Sequence, residues 1–237
     1  LDFSPRSTRR LIQGMTRART DGYDVLRISG LDPLTHPDIL ELISAGDALG
    51  FERIHLYTPG RRLSEDAFFA AFQALRARVN LTLHIPLYGS ESTTHDRVVG
   101  VPGAFKQVLK ALRALSPFEE HELILLTVVT DETLGEMAAL RALFSEFNGP
   151  VQVFVPFPST RDPEDAFFKV ALRHDAMVKV MAQCAPPMGL SELLPCVRFR
   201  HQHETGMPTL TDGGFHPMNA ALGTLFEHGQ YRRVEDE

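Results

Sequence analysis

The residues of this chain best placed to do chemistry stand where short runs of branched apolar residues end. Ser29-Gly30-Leu31-Asp32-Pro33 follows the run 24–28 and precedes His36-Pro37-Asp38, a helix start with proline in its first turn. A strand that feeds a glycine turn that feeds a helix is a common ligand site. Backbone N–H groups converge there, and Gly30 lets a ligand approach the main chain. Thr58 and Thr130 put hydroxyls at the ends of two further runs, 52–57 and 121–129. Each feature also has a local reading: Asp32 before Pro33 is a good turn former, and Thr58 precedes a Pro-Gly turn.

The elements needed to position these residues alternate along the chain. Strands are expected at 24–28, 52–57, 79–85, 121–129 and 151–155. Helices are expected at 5–21 with Ser4-Pro5 at its start, at 37–49, at 65–77 capped by Ser64, at 102–115, at 132–147 and at 164–183. A polar loop is expected after Pro86 and a proline loop from Pro156 to Pro163. From about residue 185 the tail reads as irregular, with prolines at 186, 187, 195, 208 and 217. One domain over 1–237 is expected, because no linker interrupts the alternation. Strict alternation with crossover helices gives a parallel sheet, whose chemistry sits at the C-terminal strand ends. Those ends are 29–33, 58–60, 86–90, 130–131 and 156–160.

Composition narrows the class. The 237 residues are 43% hydrophobic and 23% charged, ordinary for a globular protein, with a net charge of −6 that gives no argument for nucleic acid or an acidic membrane as partner. The arginines at 6, 9, 10, 17 and 19 read as a solvated helix face. With two cysteines, Cys184 and Cys196, a disulfide-rich secreted scaffold is excluded. No apolar run reaches membrane-spanning length and no signal peptide is visible, so a cytoplasmic location is expected.

Taken in order, the strand ends resemble one family. S-G-L-D-P at 29–33 is similar to a G-G-E-P turn, with Leu31 at the second glycine and Asp32 at the glutamate. L-G-F-E-R-I-H-L-Y-T-P-G at 49–60 resembles that family's strand ending in T-N-G, with Pro59 at the asparagine. I-P-L-Y-G-S at 85–90, H-D-R-V-V-G-V-P-G-A-F at 95–105, L-L-T-V-V-T ending at Thr130, and G-L-S-E-L-L-P-C-V at 189–197 match later segments, with Pro86 at a serine. The chain thus resembles the radical S-adenosylmethionine (SAM) enzymes. The resemblance implies a partial parallel (β/α) barrel, an α/β fold of which five strands are kept here. It implies SAM and a [4Fe-4S] cluster as cofactors, with SAM held by Ser29, Gly30, Leu31, Asp32, Pro33, Thr58, Tyr88 and Thr130. Within it, Asp32 and the carbonyls of its turn would accept hydrogen bonds from the methionine ammonium. Thr58 and Thr130 would bind carboxylate or ribose.

The implied activity is reductive cleavage of SAM to a 5′-deoxyadenosyl radical that abstracts hydrogen from a small-molecule or peptide substrate, with an electron donor as partner. The family's C-x3-C-x2-C cluster motif is absent from the 237 residues, and its cysteines are expected upstream of Leu1. A cluster-free relative acting as a binding or scaffold module is the alternative. A barrel hydrolase or aldolase lacks its constellation, since no lysine stands at a strand end. Other chemistry-bearing residues read as structural. His84 alternates with Leu83 and Ile85 as a core histidine, and His95-Asp96 reads as a cap. Cys196, His201, His203 and His216 fit no standard zinc spacing.

Overall fold

The computed structural model describes residues 7–30, 32–119, 122–130, 132–147 and 151–154, together with the backbone of 188–190. The helices are α1 (Thr8–Thr20), α2 (Ile39–Ala48), α3 (Asp66–Arg76), α4 (Ser92–Val99), α5 (Ala104–Leu115) and α6 (Met137–Phe144). The strands are β1 (Val25–Ile28), β2 (Arg53–Tyr57), β3 (Leu81–Pro86), β4 (Leu123–Val128), β5 (Val151–Phe154) and β6 (Met188–Leu190). Short 3-10 turns cover Pro33–Thr35, Arg61–Ser64 and Leu134–Glu136. The chain forms two compact units that divide within β3, between Leu83 and His84.

In the first unit β1 and β2 run parallel, with Leu26 beside Ile54 and Ile28 beside Leu56. The Ile54 N–H donates to the Asn80 carbonyl at 2.9 Å, which ties β2 to the start of β3. Side chains alternate in burial along both strands. Leu26, Ile28, Ile54 and Leu56 are 0–5% exposed, and α2 packs on them. Gly46 makes that approach possible: a Cβ there would stand 2.6 Å from Leu26 Cδ2. Each such aliphatic side chain contributes roughly 1.5–3 kcal/mol through burial. Arg9, Arg10 and Arg17 on α1 are exposed, as a solvated face requires. Arg19 instead bonds the Gly50 carbonyl (3.1 Å) and Asp24 (2.7 Å), fixing α1 to the segments that enter β2 and β1.

In the second unit the Leu87 N–H donates to the Leu126 carbonyl (2.8 Å), so the end of β3 lies beside β4. β4 pairs parallel with β5, and β5 with β6. Leu123 to Thr127 and all of β5 are buried, the continuous pattern of parallel strands covered on both faces. Val108, Leu109 and Leu112 form the buried stripe of α5 at the expected spacing.

Several boundaries differ from the sequence expectation. The polar loop after Pro86 contains a short helix, α4, whose buried residues are the polar Thr94 and His95 rather than an apolar stripe. Ser64 does not cap α3, because Arg61–Ser64 is itself a 3-10 turn and Glu65 takes the N-cap position. The helix expected over 132–147 is split, since the Thr130–Thr133 turn and a 3-10 segment occupy its first residues. β6 falls in the stretch read as irregular; at three residues it is too short for a period to be visible. Ser4-Pro5, the 156–163 loop, the 164–183 helix, both cysteines and the histidines at 201, 203 and 216 lie outside the described residues.

Candidate functional site

β1 ends at Ile28, and the chain leaves it through Ser29 and Gly30, whose φ of 152° only glycine adopts freely. Asp32 follows with extended backbone and caps the 3-10 turn: its Oδ1 accepts from the Leu34 N–H at 3.2 Å. Pro33 is the first residue of that turn, where a missing N–H costs nothing. The same Oδ1 accepts from the Thr58 hydroxyl at 2.8 Å. Thr58, 2% exposed at the end of β2, in turn accepts from the Gly60 N–H at 3.0 Å. The local readings of Asp32 and Thr58 as turn residues are therefore both realised, and the two are also joined across adjacent strand ends. Asp32 is half-buried, and its Oδ2 accepts no hydrogen bond from the described residues.

Arg62 braces this corner. Its guanidinium donates to the Leu34 carbonyl (2.6 Å) and the His36 carbonyl (3.5 Å) and lies 4.2 Å from the Phe68 ring centroid. Nothing in the sequence singles it out, because its partners lie 26 and 28 residues earlier. Leu31, the remaining member of the turn, lies outside the described residues.

In the second unit, Tyr88 follows β3. Its N–H donates to His95 Nδ1 at 3.1 Å, and its ring stacks on His95 with centroids 5.9 Å apart. His95 also contacts Phe105, at 5.7 Å. Burial lowers the His95 pKa, although Asp96 opposes the shift, so an imidazole accepting at Nδ1 is neutral with its proton on Nε2. Burial raises the Tyr88 phenol. The cap expected at His95-Asp96 is present. Asp96 accepts from the N–H groups of Gly103 (2.6 Å) and Phe105 (2.8 Å) at the start of α5. The Phe105 bond first, and the Gly103 bond with it, holds its carboxyl below the usual range. The H-D…P-G-x-F pattern is thus a brace between α4 and α5.

The least expected participant is Glu136. Its carboxylate accepts from the Ser90 N–H (2.7 Å), the Ser90 hydroxyl (2.8 Å) and the Thr94 hydroxyl. Burial works against its charged form, but these bonds and one from the Glu91 N–H outweigh it, and its pKa lies below the usual value. Gly89 sits inside this arrangement, where a Cβ would meet the His95 nitrogen and Thr94 Cβ, each at 2.8 Å. Thr130 ends β4 in a turn in which its N–H donates to the Thr133 hydroxyl at 2.8 Å. His84 is fully buried.

Of the sequence-derived residues, then, the structure joins Asp32 to Thr58 in the first unit. It places Tyr88 and Thr130 at the ends of β3 and β4 in the second. No group of three or more metal-ligating side chains occurs among the described residues. No helix among them is long and apolar enough to cross a membrane.

A profile of the radical SAM superfamily matches residues 2–142, more than half of the chain. The chain belongs to the radical SAM superfamily. An AdoMet-dependent heme synthase from Methanosarcina barkeri is 28% identical over 181 residues, covering 70% of this chain and 49% of that protein. This radical SAM chain thus spans about half the length of the curated relative it matches. The crystal structure of Streptococcus suis SuiB bound to its precursor peptide SuiA superposes with a TM-score of 0.57 at 14% identity, over 77% of this chain and 39% of that one. That likeness supports the parallel α/β architecture of radical SAM type read from the sequence. SAM binding and an iron–sulfur cluster are general properties of the superfamily.

Proposed function

We propose that this chain is the SAM-binding core of a radical enzyme that abstracts hydrogen from a peptide substrate. The observation that carries the reading is Asp32. It is a carboxylate fixed at the end of β1 through Oδ1, whose Oδ2 accepts no hydrogen bond from the described residues and suits a cationic ammonium. The residues present fit the methionine end of SAM: Asp32 for the ammonium, and the turn from Ser29 through Pro33 for close backbone approach. Thr58 keeps Asp32 in place. For Tyr88 and Thr130, each at a strand end of the second unit, a SAM-binding role is proposed from the family resemblance. Bound SAM supplies, on one-electron cleavage, a 5′-deoxyadenosyl radical.

The cluster is a different matter. Three thiolates hold it in the family, whereas the 237 residues contain two cysteines. No step is therefore assigned to cluster ligands in this chain. The second reading is a cluster-free relative that binds SAM or a partner without chemistry. A peptide substrate has support in SuiB, whose structure holds its precursor peptide; heme synthesis, from the curated relative, is the competing class.

Two measurements separate these readings. Calorimetric titration of the chain with SAM is expected to give saturable binding. Asp32→Asn keeps the Thr58 bond and removes the charge, so it is expected to lower affinity about tenfold or more, from about 1.5–3 kcal/mol for a hydrogen bond to a charged group. Anaerobic reconstitution of the complete gene product with iron, sulfide and a reductant is expected to yield 5′-deoxyadenosine. Binding without 5′-deoxyadenosine would leave the cluster-free module standing, and no SAM binding at all would sink the SAM-binding core.

A further inference from the structure

The face of β1 and β2 turned away from α2 has a composition the SAM site does not use. On β1 it carries Arg27; on β2 it carries Arg53, His55 and Tyr57. All four are half-buried, whereas their neighbours on the other face are fully buried. Arg27 lies directly beside His55 in the parallel register, and its guanidinium is 4.8 Å from the Tyr57 ring centroid. Arg53 precedes His55 by one side-chain repeat on the same face. The Ile54–Asn80 hydrogen bond sets His55 beside Thr82 on β3. Thr82 is 1% exposed, and its hydroxyl has no hydrogen-bond partner among the described residues.

Two features of this face call for a ligand. Neither Arg27 nor Arg53 forms an ion pair with any described residue, so two guanidinium groups share a partly desolvated surface uncompensated. A buried hydroxyl left without a partner is destabilising. A bound anion would answer the charge, and an acceptor oxygen would answer the hydroxyl. Burial first, then Arg27 and Arg53, pushes the His55 pKa down to about 4, so the imidazole between them is neutral and adds no third positive charge.

We propose that Arg27 and Arg53, with the Thr82 hydroxyl, form a carboxylate-binding site on this sheet face that anchors an acidic group of the substrate. The guanidinium forks match the two oxygens of a carboxylate, and Thr82 donates to one of them. Tyr57 holds Arg27 in place by the cation–π contact. The anion site stands on these residues alone; calling its occupant the substrate rests on the radical SAM reading above.

The test is a titration of the chain with succinate, followed through the 15N and 1H shifts of the His55 ring. An anion beside the imidazole favours its charged form, so succinate is expected to move the His55 pKa upward saturably. Arg27→Ala and Arg53→Ala are each expected to weaken the succinate response about tenfold. Both residues are half-exposed, so both variants are expected to fold, checked by circular dichroism and thermal melting. Thr82→Val, which keeps the volume, is expected to weaken it less. An N-acetylated Glu-Glu amide and its Gln-Gln counterpart distinguish a peptide carboxylate from a free organic acid as the preferred source. Sodium chloride at matched ionic strength controls for screening. A response equal to that of chloride, or one unchanged in both arginine variants, would overturn the proposal. SAM binding is measured in parallel: SAM uptake without a succinate response sinks the anion site alone. A succinate response without SAM uptake sinks the cofactor reading and leaves the site.

Discussion

Removing the Glu136 carboxylate should destabilise the second unit by an amount the geometry sets. Four donors converge on it: the N–H and hydroxyl of Ser90, the hydroxyl of Thr94 and the N–H of Glu91. A hydrogen bond to a charged group in a favourable site contributes about 1.5–3 kcal/mol, but Glu136 is half-exposed, and water can replace part of what is lost. The sum is then about 2–3 kcal/mol for Glu136→Ala and about 1–2 kcal/mol for Glu136→Gln, which keeps an acceptor oxygen. Urea denaturation of the chain measures both. The pH dependence gives an independent check. The folded pKa of Glu136 lies below its ordinary value, so its contribution is full above about pH 4.3 and is lost as pH falls through the folded value. Wild type and Glu136→Gln should therefore differ at neutral pH and converge in acid. Amide exchange at Ser90 and Glu91 should accelerate in both variants. A Glu136→Ala protein within about 0.5 kcal/mol of wild type at neutral pH, the size of an ordinary surface change, would refute the reasoning.

Other outcomes follow from packing and capping. Gly89→Ala places a Cβ 2.8 Å from the His95 backbone nitrogen, which cannot give as a side-chain end can, so a loss of about 1–3 kcal/mol is expected in the same denaturation assay. Phe72→Ala empties a site that is 0% exposed and should cost about 3–5 kcal/mol. Thr58→Val removes the donor to Asp32 Oδ1 and the acceptor for the Gly60 N–H, and is expected to weaken SAM binding with a smaller effect on melting. Asp96→Asn removes the charge that the Gly103 and Phe105 N–H groups stabilise. It is expected to lower the urea midpoint at neutral pH and to match wild type in acid, because the depressed Asp96 pKa makes its contribution one that acid removes.

Much of this was legible in the letters. The apolar runs gave β1 through β5 within two residues at each end, because in parallel strands burial on one or both faces writes itself into consecutive residue types. The strand ends followed from alternation, and with them the positions of Asp32, Thr58, Tyr88 and Thr130. The letters also gave a cap at His95-Asp96 but not its partners, because Asp96 reaches from within α4 to Gly103 and Phe105, seven and nine positions on. They did not give α4, a short helix whose buried residues are the polar Thr94 and His95.

The sequence by itself determined the class, the order of elements and which residues end each strand, because these depend on neighbours within a few positions. Only the tertiary structure decided which of those residues meet. It joined Asp32 to Thr58 across 26 positions, and Glu136 to Ser90 across 46. It also set Arg27 beside His55 by register, on a face whose two guanidinium groups form no ion pair with any described residue. Such pairings arise from strand register and helix packing, which no local pattern encodes.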